Sequence, residues 1–385
     1  MPGRAPPGWK AVRLGKMCAL SRDADPGSDA YVGIEHIVPG RNGVSGTASA
    51  GDFATHRPFR ERDILYAKLG PAANKVWLAT CAGRCSTDIL PIRAEPGLIL
   101  PEFLVRVMAG PRFVGHAVST SSGTIMPRTS WRDIQRFTVH VPPLREQQRI
   151  ASILSNVDAL VANVETLSVK YKTLQYGLSQ EIFGTSVKNL KWKSVELSSL
   201  TKGKSQYGID APAVPYDNTL ARYIRIADIR SDGTLDNALK ASVKLRGNEK
   251  YLLERNDLLF ARAGTVGRTM LVKNGLTDAI FVNTLIRFNI DSTKVDPLFL
   301  EQYTRSAAYR AWIVSVTAQS VVPNINARQF AKLLVPLPPR AKQKQTASIL
   351  SGVDAVIENY RLYQQQLERL KRGLMQKLLS GKIRV

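Results

Sequence analysis

Two stretches of the chain, residues 144–184 and 340–385, carry apolar side chains at spacings of three and four. In the first, Val157, Val164, Tyr171 and Leu178 recur every seven residues, and Ile153, Leu160, Leu167 and Leu174 form an interleaved row. In the second, the rows are Val353, Tyr360, Leu367 and Leu374, and Ile349, Val356, Tyr363 and Leu370. This pattern predicts two long helices with an a/d seam. Each stretch follows a Pro-Pro pair, Pro142-Pro143 or Pro338-Pro339, which blocks helix upstream and is tolerated at a first turn. At about 1.5 Å per residue such helices measure roughly 55–60 Å. An apolar stripe of that length must be covered, and the other copy is the nearest cover. If a pseudo-twofold axis relates the halves, the helices pack antiparallel with a globular domain at each end. The alternative is that each helix folds back on its own domain. Gly177 and Gly373, at equivalent places inside the helices, cost about 1 kcal/mol each relative to Ala, which predicts a close helix approach or a kink.

The chain is a tandem repeat with a period of roughly 196 residues, the separation of Ala151 from Ala347. Residues 151–163 and 347–359 align without a gap, and nine of the thirteen positions are identical. The echo continues from Arg62-Asp-Ile-Leu-Tyr-Ala-Lys68 to Asn256-Asp-Leu-Leu-Phe-Ala-Arg262, and Trp9-Lys10 and Trp192-Lys193 open the two halves. Outside the helices, short runs rich in Val, Ile, Leu and Phe alternate with Gly, Asn and Asp. Residues 63–67, 137–141, 257–261 and 333–337 read as strands, and 98–108 and 297–310 as helices. The expected fold class is α+β, with two globular domains separated by two long helices packed as an antiparallel coiled coil. The boundaries fall at 1–143, 144–184, 185–339 and 340–385.

A length of 385 residues suits two domains, and 44% apolar with 22% charged residues excludes a disordered chain. The net charge of +23 changes the picture, because a surplus of that size suits a polyanionic partner. By segment the nets are +7, 0, +9 and +7, so both globular regions are basic while the first helix is neutral. A solvated basic surface without a nucleic-acid role is the alternative. No apolar stretch suggests a membrane span or a signal sequence, and three cysteines (Cys18, Cys81, Cys85) suit a reducing compartment, so a cytoplasmic location without a membrane partner is expected.

Catalytic signatures are lacking. There is no phosphate loop, no His-Glu-x-x-His and no Asn/Asp-Pro-Pro-Tyr/Phe, and Val141-Pro-Pro-Leu144 is only a helix starter. Cys81 and Cys85 have no second ligand pair at zinc spacing, so no metal is expected. All four histidines fall in the first copy. Gly264-Thr-Val-Gly267 reads as a turn between strands rather than a dinucleotide loop.

The run Pro142-Pro-Leu-Arg-Glu-Gln-Gln-Arg-Ile-Ala-Ser-Ile-Leu-Ser-Asn-Val-Asp158, continuing to Phe183, resembles the helical conserved region of the specificity (S, HsdS) subunit of type I restriction-modification enzymes. The segment ending Arg372-Gly-Leu-Met-Gln-Lys-Leu-Leu-Ser-Gly-Lys382 resembles its second conserved region. One departure is Arg340-Ala-Lys-Gln-Lys-Gln345, which replaces the Leu-x-Glu-Gln start of the first copy. The resemblance implies a target-recognition domain in each copy and a chain that is not itself catalytic. Such a subunit reads an asymmetric, split site in double-stranded DNA and recruits two methyltransferase subunits, to which restriction and motor subunits attach. S-adenosylmethionine, ATP and magnesium would belong to those partners. Two dissimilar readers on a fixed rod recognise two half-sites at a set separation.

Candidate base- or phosphate-contacting residues in the first domain are Lys68, Lys75, Ser122, Thr124 and Arg128. In the second they are Arg262, Thr265, Arg268, Gln319, Ser320, Asn324 and Asn326. Arg and Lys suit phosphates and guanine edges, and Asn and Gln suit adenine. Each could equally be a turn or cap residue. Two other functions share part of the pattern. A freestanding tandem DNA-binding repressor would bind tightly with no partner and needs no long seam, and a coiled-coil scaffold needs no basic domains.

Overall fold

A computed structural model describes residues 6–22, 30–49, 56–184, 192–244, 249–273, 276, 278–318 and 321–385. The chain forms two compact units, residues 1–165 with 362–385, and residues 166–361. Each unit therefore combines one globular domain with half of each long helix, so the helices belong to the domains' own packing.

In the first unit, Lys10–Arg13 pairs antiparallel with Thr138–Val141. One sheet runs Cys18–Leu20, Ile89–Ala94, Ile64–Ala67, Val76–Leu78; the other runs Ala48–Ser49, Ala30–Val32, Gly83–Ser86, His56–Phe59. The helices are α1 (Pro101–Ala109), α2 (Pro111–Ser119), α3 (Trp131–Ile134) and α4 (Leu144–Phe183). The second unit repeats the plan. Lys193–Glu196 pairs antiparallel with Leu334–Leu337, and two further four-stranded sheets are built around Asp257–Ala261 and Ala221–Ile224. Its helices are α5 (Pro297–Tyr303), α6 (Ala307–Thr317), α7 (Ala327–Ala331) and α8 (Arg340–Leu378). The single helix expected over 297–310 is interrupted because Ser306 caps α6, its hydroxyl accepting the Tyr309 amide at 3.2 Å.

The strands at 64–67 and 257–261 are apolar on both faces because each divides two cores. Ile64 and Tyr66 join one cluster and Leu65 another; Leu258 and Phe260 join one, Leu259 and Ala261 another. At or just before the start of each strand sits a buried carboxylate met by an arginine of the neighbouring strand. Arg93 donates twice to Asp63 at 2.7 Å, and Arg287 reaches Asp257 at 3.3 Å.

The Pro-Pro-x-x-x-Gln motif starts both long helices and ties each to its domain. The Gln147 amide accepts from the Leu100 amide at 2.8 Å and donates to the Pro142 carbonyl at 2.9 Å. Gln343 accepts from the Asp296 amide at 2.8 Å and donates to the Pro338 carbonyl at 2.8 Å. Both side chains are buried, where an unbonded amide is costly. The departure at 340–345 keeps this glutamine and changes its neighbour. Glu146 accepts from Trp9 at 3.1 Å and from Arg384 at 2.6 and 2.8 Å, which closes the two chain ends of the first unit on each other. The Arg384 hydrogen bonds, then that of Trp9, hold the Glu146 carboxyl below its usual range against its burial. Lys342 takes its place in the second copy.

The helices pack antiparallel. In the first unit Asp158 meets Lys371 at 2.6 Å and Glu165 accepts from Gln364 at 2.6 Å. In the second, Tyr171 lies on Tyr360, with ring centroids 5.6 Å apart, and Gln175 donates to Asp354. Residue numbers fall on one helix as they rise on the other. The row Val157, Val164, Tyr171, Leu178 and its counterpart Val353, Tyr360, Leu367, Leu374 face inward, buried or half-buried. The other row requires correction. Leu160, Leu167, Leu174, Ile349, Tyr363 and Leu370 are all more than a third exposed, while Ile153 and Val356 are half-buried. The inward places belong to the positions one residue later, Leu154, Val161, Ser168 and Gln175, and Leu350, Ile357, Gln364 and Lys371. Polar side chains in the C-terminal half of that row, Gln175, Gln364 and Lys371, make the interhelical contacts just described, so the most aliphatic row is not the buried one.

Of the two uses expected for Gly177 and Gly373, the close approach is ruled out. A Cβ at either would meet nothing within 4 Å, so neither serves close approach. Gly177→Ala and Gly373→Ala are expected each to stabilise the chain by about 1 kcal/mol, measured as a higher urea midpoint at unchanged slope. A lower midpoint would show that these positions need glycine.

Candidate nucleic-acid interface

In the first unit the strand Ile64–Ala67 ends at Lys68, whose carbonyl accepts the Thr129 amide at 3.0 Å. Ser122 and Arg128 exchange backbone hydrogen bonds of 2.9 and 2.8 Å, pinching residues 122–128 into a loop. Gly123, at φ +98°, permits the turn. At its tip stand Thr124, Ile125 (93% exposed) and Met126. Arg128 donates to Asp88 at 3.3 and 3.4 Å, and Lys68 lies 3.4 Å from the same carboxylate. The Arg128 hydrogen bond, more than any other influence, holds the Asp88 carboxyl below its usual range. The structure thus gathers Lys68, Ser122, Thr124 and Arg128. Lys75 is used elsewhere, donating to the Ile34 carbonyl at 2.7 Å.

The second unit repeats the strand-end bond of this construction, with different side chains around it. The Arg262 carbonyl accepts the Ile325 amide at 3.0 Å, the repeat equivalent of the Lys68–Thr129 bond. Its guanidinium lies 5.1 Å over the Tyr207 ring, a cation–π contact, and the Tyr207 hydroxyl accepts the Ala327 amide at 3.0 Å. Val321 and Val322 stand fully and three-quarters exposed beside exposed Asn324. Thr265 is exposed in a turn between Gly264 and Gly267, both at positive φ. Arg268 donates to the Ile229 carbonyl at 2.6 Å. The Asn326 side chain caps α7, accepting the Gln329 amide at 3.0 Å. Gln319 and Ser320 lie outside the described residues.

Sequence reasoning missed the exposed apolar pairs Ile125-Met126 and Val321-Val322. Their signal was available, since each pair precedes a proline and the two occur one repeat apart. Tyr207 carried no comparable signal. Among the described residues no group of three His, Cys, Asp or Glu could hold a metal. Burial pushes the Cys18 and Cys85 thiols up to about 12, which leaves them inert. A window of α4 is long and apolar enough to cross a bilayer, yet its stripe is accounted for by the helix partner and the domain cores.

Two α+β domains, each built on half of each of two antiparallel helices, define a duplicated two-domain protein. The family of the type I restriction modification DNA specificity domain matches residues 6–170 and 189–369, and the chain belongs to that family, the specificity (HsdS) subunits. It is 22% identical over 412 aligned residues to the type I restriction enzyme MjaVIII specificity subunit of Methanocaldococcus jannaschii, covering 99% of this chain and 94% of that one. It is 28% identical over 170 residues to the EcoDI specificity subunit of Escherichia coli, covering 42% and 37%. Among solved structures, the S subunit of a type I restriction-modification system from M. genitalium superposes with a TM-score of 0.63 at 14% identity over 96% of both chains. A chain from a type I complex studied for its assembly and conformational transition superposes with a TM-score of 0.57 at 18% identity, over 99% of this chain and 100% of that one.

Proposed function

We propose that this chain is the non-catalytic reader of a type I restriction-modification complex. Each unit binds one half of an asymmetric, bipartite DNA site. The observation that carries this reading is the backbone bond at the end of the central strand, made in both units beside exposed side chains. One backbone plan presents Lys68, Arg128, Thr124, Ile125 and Met126 in the first unit, and Arg262, Tyr207, Asn324, Val321 and Val322 in the second. A shared backbone anchor with dissimilar side chains suits two different half-sites, and the net charge of +23 suits phosphate. Exposed Ile, Met and Val suit thymine methyl groups or the edges of base steps.

The partners supply the chemistry. Two methyltransferase subunits dock on the helices, and restriction and motor subunits join through them. S-adenosylmethionine, ATP and magnesium act on those subunits, and the complex works in the cytoplasm on double-stranded DNA. The exposed rows support two docking places, one in each unit. Leu160 with Tyr363 and Leu370 lies in the first unit, and Leu167 and Leu174 with Ile349 in the second. The internal repeat relates Leu167 and Leu174 to Tyr363 and Leu370, while the equivalents of Leu160 and Ile349, Val356 and Ile153, are half-buried.

Replacing residues 1–143 with the first domain of another specificity subunit is expected to change one half-site of the methylated sequence and leave the other intact. Genome-wide mapping of methylated adenines reads this directly. A change in both halves, or in neither, would refute one reader per unit.

A further inference from the structure

The two units differ at one place where the repeat should make them alike. In the second unit, the space between the end of α4, α5 and the strand Leu334–Leu337 is filled by Phe183 and Tyr303, whose ring centroids lie 5.6 Å apart. The Tyr303 hydroxyl donates to the Leu334 carbonyl at 2.7 Å. In the first unit the corresponding residues are Leu379, Val107 and Thr138, and the lost bulk leaves a cavity of about 290 Å³ that reaches solvent. Its apolar walls include Val107, Phe137, Met375 and Leu379.

The polar lining differs in the same direction. Ser306 caps α6 in the second unit, but its equivalent Gly110 offers α2 no side-chain cap, so the first amides of that nine-residue helix are left without one. Arg112, where the second unit has Ala308, lines the cavity with no ion-pair partner among the described residues. His140 takes the place of Pro336. It sits between core residues Val139 and Val141 on its strand and so faces away from that core. It is only 6% exposed, lines the cavity, and its ring has no hydrogen-bond partner among the described residues. Lys382 adds a second cation to the rim. Burial, then the Arg112 charge, lowers the His140 pKa, which leaves a neutral ring as donor and the charge to Arg112 and Lys382.

We propose that this cavity of the first unit is a binding site for a small organic carboxylate with an aromatic body. The acid group lies against Arg112, His140 and the start of α2, and the ring lies among Val107, Phe137, Met375 and Leu379. The size fits, since an apolar cavity of about 150 Å³ already holds benzene, and one roughly twice as large admits a ring with a short acid arm. Filling both units identically would have needed only the second unit's side chains.

Fluorine NMR titration of the full chain with 4-fluorophenylacetate and 4-fluorophenylacetamide tests this. The acid is expected to bind at least about tenfold more tightly than the amide. Arg112→Ala, at an exposed position, should remove that preference without altering the unfolding midpoint. Leu379→Phe, which restores the second unit's filler, should abolish binding of both probes. Failure of the acid to bind, equal binding of acid and amide, or binding that survives a folded Leu379→Phe chain would overturn the proposal.

Discussion

Asp158→Ala is expected to destabilise the first unit by about 3–5 kcal/mol, the range for removing one partner of a buried ion pair. Asp158 receives Arg106 from α1 and Lys371, at 2.6 Å, from α8. The Arg106 side chain is only 7% exposed, and its remaining partner is the Ser155 hydroxyl at 3.1 Å. Loss of the carboxylate would strand a buried guanidinium. The repeat equivalent, Asp354, receives Gln302 at 2.7 Å and Arg305 at 2.8 Å, together with Gln175. Arg305 keeps a second carboxylate, Glu301 at 2.6 Å, so Asp354→Ala should cost less, about 1.5–3 kcal/mol. Urea unfolding of the two variants compares them. Equal losses, or a loss under about 1 kcal/mol for Asp158→Ala, would show that this joint does not hold helix to domain.

The double variant Leu160→Asp, Leu370→Asp should leave the isolated chain's stability within about 0.5 kcal/mol, because both side chains are about half exposed. Its partner binding should weaken. Fully covering a leucine contributes about 1.5–3 kcal/mol and covering the exposed half about half of that, so losing two such contacts predicts a loss of at least roughly tenfold in affinity for the methyltransferase subunit. Co-purification and titration of that subunit measure it. Val164→Asp, at a position 5% exposed, should instead unfold the helix pair. If Leu160→Asp and Leu370→Asp unfold the free chain while Val164→Asp does not, the inward and outward rows are reversed.

Much of this was legible in the chain. The Pro-Pro starts, the seven-residue spacing of Val157, Val164, Tyr171 and Leu178, and the match of 151–163 to 347–359 mark both long helices and the duplication. The strands at 64–67 and 257–261 follow from uninterrupted apolar runs. The second seam row departs from expectation because hydropathy favours Leu167 and Leu174 over Ser168 and Gln175. Partner residues far away in sequence, Asp354 and Glu165, make the polar row satisfied when buried. Among the candidate contacts, Lys68 and Arg128 converge on Asp88, while Lys75, Arg268 and Asn326 are engaged by the fold's own carbonyls and amides. Residue type alone cannot separate those roles, since a turn cap and a base contact use the same donors.

By itself, then, the sequence determined the duplicated α+β plan, the two long helices and the basic surface, because periodicity, repeat and charge are properties of neighbours along the chain. Tertiary structure alone decided which helix flank faces inward, which cations the fold itself engages, and how the space beside each helix end is lined in the two units. Each of these depends on a side chain supplied by a distant element, as Tyr303 and Phe183 show by filling the space that Val107 and Leu379 leave open.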